Sequence, residues 1–282
     1  MKKNILLILT ILLLHSCQNF GQLTLVADLP KSLNEVSGVE TFKNSSHIWI
    51  INDGGNKSKI YRISNKGNIK KGLNIETKNR DWEDLTFDEK GNLYIGDFGN
   101  NENKRENLRI LKIKKKDLRK KTIKVEKIEF KFENQKKFPP KDKEKYFDCE
   151  AFFYFQDHLY LFTKSRVHNN YGKTSLYKIP AKEGKYKAKL IGKFENCSDM
   201  KCWITSADIS DDGKKVALLS QKNILIFTDF KGDNFLSGNV KTIDLEHQTQ
   251  KEGICFKDNN TVFITDEKAH GEGGNLYELS LK

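Results

Sequence analysis

One unit recurs along the chain, and its recurrence limits the fold more than any other feature. The unit starts at a Glu, continues as an alternating strand, turns through polar residues and returns as a second apolar strand. Glu35-Val36-Ser37-Gly38-Val39 leads to His47-Ile48-Trp49-Ile50-Ile51-Asn52-Asp53, and Glu83-Asp84-Leu85-Thr86-Phe87 leads to Leu93-Tyr94-Ile95-Gly96-Asp97. Glu150-Ala151-Phe152-Phe153 leads to Leu159-Tyr160-Leu161-Phe162-Thr163, and Glu252-Gly253-Ile254-Cys255-Phe256 to Val262-Phe263-Ile264-Thr265-Asp266. A further copy, Ser206-Ala207-Asp208-Ile209-Ser210 before Val216-Ala217-Leu218-Leu219-Ser220, has Ser206 at the marker position. A third strand follows every copy, and a more polar fourth follows all but the last.

The markers lie 48, 67, 56 and 46 residues apart. Four-stranded units at such a period are the signature of β-propeller blades. The last copy stops at Leu279 without a fourth strand, while Leu23-Thr24-Leu25-Val26-Ala27-Asp28-Leu29 precedes the first as an orphan. Joining the two would close the ring and hide the open edge. The expectation is an all-β, five-bladed propeller spanning 22–282 and closed by the N-terminal strand. A sixth blade is the fallback, and it would have to come from the 67-residue interval.

Composition agrees with one folded body. The chain carries 18 Phe, 9 Tyr and 3 Trp, far too many aromatics for a solvated coil. Its formal charge is +12, from 50 basic and 38 acidic residues. Much of the excess lies between Lys104 and Lys145, where nearly all the cations are Lys, alternating with Ile, Val and Phe from Ile123 to Phe132. That pattern describes an outer strand with one solvated face, its lysines discouraging edge pairing. Arg and aromatics are not placed to read bases, so no nucleic-acid partner is expected.

Residues 1–17 read as an address. Lys2 and Lys3 precede an apolar run from Ile5 to Leu14, which as a helix reaches only roughly 15 Å, half a bilayer core. Leu14-His15-Ser16-Cys17 resembles the lipobox of bacterial lipoproteins, with His15 where a small residue is usual; that resemblance implies lipidation of Cys17 and a membrane anchor. The alternative is an ordinary secretory signal cleaved nearby. Either way the body is exported, on the periplasmic or the surface side of the cell envelope. In an oxidising compartment Cys197 and Cys202 are candidates for a loop disulfide, while Cys149 and Cys255 sit in apolar strands as buried thiols.

Hairpin pairing puts Glu83 and Asp97 side by side, and repetition gathers Glu35, Glu83, Glu150 and Glu252 at one mouth of the tunnel. Asn52, Asp53, Asp97, Thr163, Ser220 and Asp266 would form a second ring beside them. Inward carboxylates several ångströms apart repel by about 2 kcal/mol per pair at an effective dielectric near 20. They must bind a cation, share protons or be hydrated, or else each Glu staples the backbone of a neighbouring blade. Oxygen-only ligands favour a hard ion, calcium first and magnesium second. Glu35, Glu83, Glu150, Glu252, Asn52, Asp97 and Asp266 are the candidate ligands, with a small polar or anionic ligand beside the metal. Glu83 and the loop residue His168 are the candidates for proton transfer if the site is catalytic.

Val36-Ser37-Gly38, Trp82-Glu83-Asp84-Leu85, Cys149-Glu150-Ala151, Ser206-Ala207-Asp208 and Lys251-Glu252-Gly253-Ile254 resemble the SdiA-regulated periplasmic propellers over most of residues 30–280. With Asp81-Trp82-Glu83-Asp84 and Gly96-Asp97-Phe98-Gly99-Asn100, the whole looks like a bacterial lipoprotein of that kind. More distantly it is similar to the esterase-like phytase and gluconolactonase propellers. The gluconolactonase likeness implies a metal held by Glu, Asn and Asp at the tunnel mouth, but the spacing does not carry hydrolysis over. A binding module and a metal-dependent hydrolase of an ester, lactone or phosphate both stand as expectations.

Overall fold

Strand follows strand through the computed structural model, which describes residues 19–43 and 45–282; the leader and Cys17 lie outside the described residues. After the short β1 (Thr24–Asp28) come β2 (Val36–Thr41), β3 (His47–Asn52), β4 (Lys59–Ser64) and β5 (Ile69–Ile75), an antiparallel meander. The next is β6 (Trp82–Phe87), β7 (Leu93–Asp97) and β8 (Leu108–Ile113), then a two-residue β9 (Thr122–Ile123), then β10 (Glu126–Phe132). β9 leaves this meander to lie parallel to β5 on the outside of the first. A third meander is β11 (Asp148–Phe155), β12 (His158–Lys164), β13 (Lys173–Pro180) and β14 (Gly184–Glu195). The fourth is β15 (Ile204–Ile209), β16 (Val216–Ser220), β17 (Asn223–Thr228) and β18 (Asn239–Asp244). The chain ends with β19 (Lys251–Asp258), β20 (Thr261–Asp266) and β21 (Asn275–Ser280).

The first strand of each meander is nearly all buried, as in Val36–Thr41 and Trp82–Phe87, whereas outer strands such as β5 and β18 are largely exposed. The inner strands pack in a ring: β2 on β6, β6 on β11, β11 on β15, β15 on β19, and β19 back on β2. β1 supplies the missing outer strand of the last meander, antiparallel to β21, with Thr24 opposite Glu278 and Asp28 opposite Asn275. The result is a β-propeller. Apolar clusters fill the gaps between sheets; Phe98, Phe130, Phe132, Phe152 and Tyr177 bridge the second and third meanders. Each such side chain contributes about 1.5–3 kcal/mol when fully buried.

One expectation needs correcting. The Lys-rich run from Ile123 to Phe132 is not one exposed edge. It splits between β9 and β10, and β10 pairs in parallel with β14, Ile128 opposite Gly184 and Phe132 opposite Ala188. The twelve-residue β14 is long enough to lie on β10 with its first half and on β13 with its second. Two meanders thereby share one eight-stranded sheet. The half-buried character of β10 is as expected, with Ile128, Phe130 and Phe132 inward and Lys127 and Lys131 outward. Cys197 and Cys202 are joined as a disulfide, and Cys149 and Cys255 are buried free thiols.

Candidate functional site

Every inner hairpin carries a register slip near its start, between Val36 and Gly38, Trp82 and Leu85, Cys149 and Ala151, Ile204 and Ser206, and Lys251 and Gly253. A bulge of this kind re-aims one side chain. Counting from the slips puts Ser37, Glu83, Glu150, Thr205 and Glu252 in step. Three of the four marker glutamates therefore share a position, and hydroxyl residues fill the other two places. Ser37 Oγ donates to the Trp82 carbonyl at 3.0 Å and Thr205 Oγ1 to the Lys251 carbonyl at 2.7 Å, each stapling its strand to the next meander. Glu35 falls two residues earlier, in step with Asp81; it is exposed and accepts from Asn56 Nδ2 at 2.5 Å.

The residues brought together at the tunnel mouth are Asp53, Asp81 and Glu83, one carboxylate oxygen of each lying within 4.8 Å of the others. Asp53 follows β3, and its carboxylate accepts from the Gly54 amide. Asp81 precedes β6 and has Arg105 at 3.9 Å. Glu83 is 9% exposed and has no hydrogen-bond or ionic partner among the described residues. Two glycines make room for the cluster. A Cβ on Gly54 would sit 2.3 Å from Asp81 Oδ1, and one on Gly99 would sit 2.0 Å from Glu83 Oε1.

Burial, with Glu150, Asp53, Asp81 and Asp148 adding repulsion, holds the Glu83 carboxyl well above the usual range. Asp53 is pushed up to about 7, chiefly by burial and then by Asp81 and Glu252. Asp81 is also raised by burial, against the pull of Arg105. Three acids that resist ionisation where they stand form a donor set suited to a cation with oxygen ligands.

Beside the triad lies a basic flank that the sequence did not single out. Glu150 is paired with Lys164 Nζ at 3.1 Å and Arg166 at 3.2 Å, and Arg166 Nε reaches Asp148 at 2.5 Å. Trp203 backs both cations, its ring centroid 4.3 Å from Lys164 Nζ and 5.0 Å from the Arg166 guanidinium carbon. On the other side burial raises Glu252, and burial with Glu252, Asp53 and Glu35 pushes Glu267 up to about 8.

The remaining candidates stand apart from the triad. Asp97, with no exposure, accepts from Arg109 at 2.6–2.7 Å and from Arg105 at 3.2 Å. Asp266, equally buried, accepts from Thr249 at 2.6 Å, Tyr277 at 2.9 Å and the Asn275 amide at 2.8 Å. Their lone pairs are already committed to the protein, which leaves little for an ion. Asn52 donates to the Ser32 carbonyl at 2.8 Å, while its Oδ1 is buried without a partner among the described residues. His168 is exposed and contacts only the Tyr171 hydroxyl, at 3.3 Å, among the described residues. In the sequence Asp53 reads only as a member of the second ring and Asp81 as no ligand, because both flank strands; the glycines after Asp53 and Asp97 are the available signal.

No known family model matches the chain, and no curated protein matches it. Among solved structures, the PQQ-bound form of aldose sugar dehydrogenase from Streptomyces coelicolor aligns at TM-score 0.55 and 8% identity, over 92% of this chain and 98% of that one. Virginiamycin B lyase from Staphylococcus aureus aligns at TM-score 0.44 and 15% identity, over 90% and 69%. A gluconolactonase from Xanthomonas campestris aligns at TM-score 0.44 and 11% identity, over 84% and 69%. At such identities the first of these likenesses speaks to fold alone, and the fold is that of an all-β propeller.

Proposed function

We propose that this chain is an exported, lipid-anchored five-bladed propeller of the SdiA-regulated kind. It binds a divalent cation at Asp53, Asp81 and Glu83, calcium before magnesium, with a small polar or anionic ligand beside it at Lys164 and Arg166. The observation that carries the reading is Glu83, nine-tenths buried and unpartnered among the described residues, with two more carboxylates inside 4.8 Å. Such a group is costly to charge unless a cation meets it. The five inner strands that pack in a ring support the blade count. The Lys2-Lys3 and Ile5–Leu14 leader before Cys17 supports the anchor.

The test is calcium titration of chelator-treated protein by calorimetry, alongside elemental analysis. Stoichiometric uptake is expected, and calcium at a hundredfold excess over Kd should add about 2.7 kcal/mol of stability. Glu83→Gln should abolish uptake while the domain stays folded. A metal-free preparation whose melting ignores both calcium and magnesium would overturn the reading.

One observation favours hydrolysis as a second reading: Asp53, pushed up to about 7, is poised to exchange a proton near neutrality. Turnover of an ester, lactone or phosphate, lost in Glu83→Gln, would establish it.

A further inference from the structure

The inner strands run from the triad to a second hollow at the other end of the tunnel, about 310 Å3 in volume. Phe42, Phe87, Tyr154, Phe155 and Phe256 line it, together with the acids Glu40 and Asp208. Both acids are 6% exposed. They stand on β2 and β15, the two strands that flank β19 in the ring.

Hairpin register puts Glu40, Thr86 and Asp208 in step. Thr86 Oγ1 accepts from the Tyr154 amide at 3.3 Å, and Asp208 Oδ2 from the Phe256 amide at 2.7 Å, so each ties its strand to the next. Glu40 makes no such tie. Its Oε1 accepts the adjacent Thr41 amide at 2.7 Å, and its Oε2 has no donor among the described residues. Neither acid has a cationic partner among those residues, and Lys43 at the rim is exposed.

A strand staple explains Asp208 but leaves Glu40 without a structural task. Burial, then the Asp208 charge, raises the Glu40 carboxyl well above its usual range, and burial pushes Asp208 up to about 7. A positive ligand is what would compensate such a pair. The walls decide which kind. A hard metal ion wants six or more oxygens, but of the other acids lining the hollow Glu89 and Asp211 are exposed, and the Asp88 carboxylate is taken up by Asn92, the Tyr94 hydroxyl and two amides. Aromatic faces suit a weakly hydrated organic cation. The Phe42 ring already has one ammonium near it, Lys115 Nζ at 5.3 Å from its centroid.

We propose that this hollow binds an organic ammonium ion, with Glu40 and Asp208 as its counter-charge and Phe42 and Tyr154 as its aromatic wall.

The test titrates n-butylammonium, with 1-butanol as the neutral control, into the purified protein in chelator, read by calorimetry. Saturable binding of the amine and none of the alcohol is expected. Glu40→Gln and Asp208→Asn should each weaken binding by about thirtyfold, as for losing one partner of a desolvated charge pair. Phe42→Ala should weaken it about threefold. Gln and Asn each keep an oxygen for the Thr41 and Phe256 amides and replace an acid without a cationic partner among the described residues, so both variants should melt no lower than the parent, which separates lost binding from lost fold. Glu83→Gln should bind the amine as the parent does, so the result stands whatever happens at the triad. Absence of saturable binding, or binding kept in both acid variants, would overturn the proposal. So would calcium uptake that Glu40→Gln abolishes, since the site would then belong to a metal.

Discussion

A buried carboxylate survives in two ways here, and the difference sets the sign of a mutation. Asp97 is clasped by Arg109 and Arg105, so its charge is compensated. Arg109→Ala should leave that charge with Arg105 alone and cost about 3 kcal/mol in denaturant unfolding; a neutral effect would contradict the clasp. Glu83 has no such clasp, and its replacement by Gln should raise the melting temperature of metal-free protein. Glu83, Glu150 and Glu252 were legible in the sequence because a strand start followed by a fixed alternation marks them. Glu35 was matched to them two residues out of step, because a bulge is invisible to a pattern with period two. Nothing in the sequence singles out Lys164 and Arg166; only the fold sets Trp203 behind them and Glu150 in front.

Among the strands, β1 does the most for its length. It covers the outer face of β21, and Leu23 and Leu29 beside it are buried. Removing residues through Asp28 should cost about 3 kcal/mol or more, a fall of about 10 °C in Tm. The bared β21 should then recruit a second copy, seen as a dimer in size-exclusion chromatography. A truncated monomer that melts with the parent would show that closure contributes little. This closure was readable, since an orphan strand at one end met a missing one at the other. The parallel pairing of β10 with β14 was not. Each strand shows its own buried face in sequence, but neither pattern names a partner more than fifty residues away.

For the whole molecule, the excess of buried acids dictates how stability varies with pH. Glu40, Glu83, Asp84, Glu150 and Glu252 are raised by burial, Asp53 and Asp208 to about 7 and Glu267 to about 8. The unfolded chain releases these protons at about pH 4; the folded one holds them to higher pH, Asp53 and Asp208 to about 7 and Glu267 to about 8. The native state thus holds more protons across that window, and its stability falls as pH rises through it. Lys251, lowered to about 8 by burial, is charged in both states below that pH and does not offset the slope. Metal-free protein should melt at least about 5 °C higher at pH 5.5 than at pH 8, with calcium narrowing the gap; a flat profile in calorimetry would contradict the picture. The β10–β14 seam works on the same scale. Apart from the two-residue β5–β9 pairing, neighbouring spokes of the wheel meet elsewhere chiefly through side chains, which can slide; here a backbone ladder welds two of them into one plate. That plate acts as the chassis, and any breathing of the rim must take place in the arc opposite it.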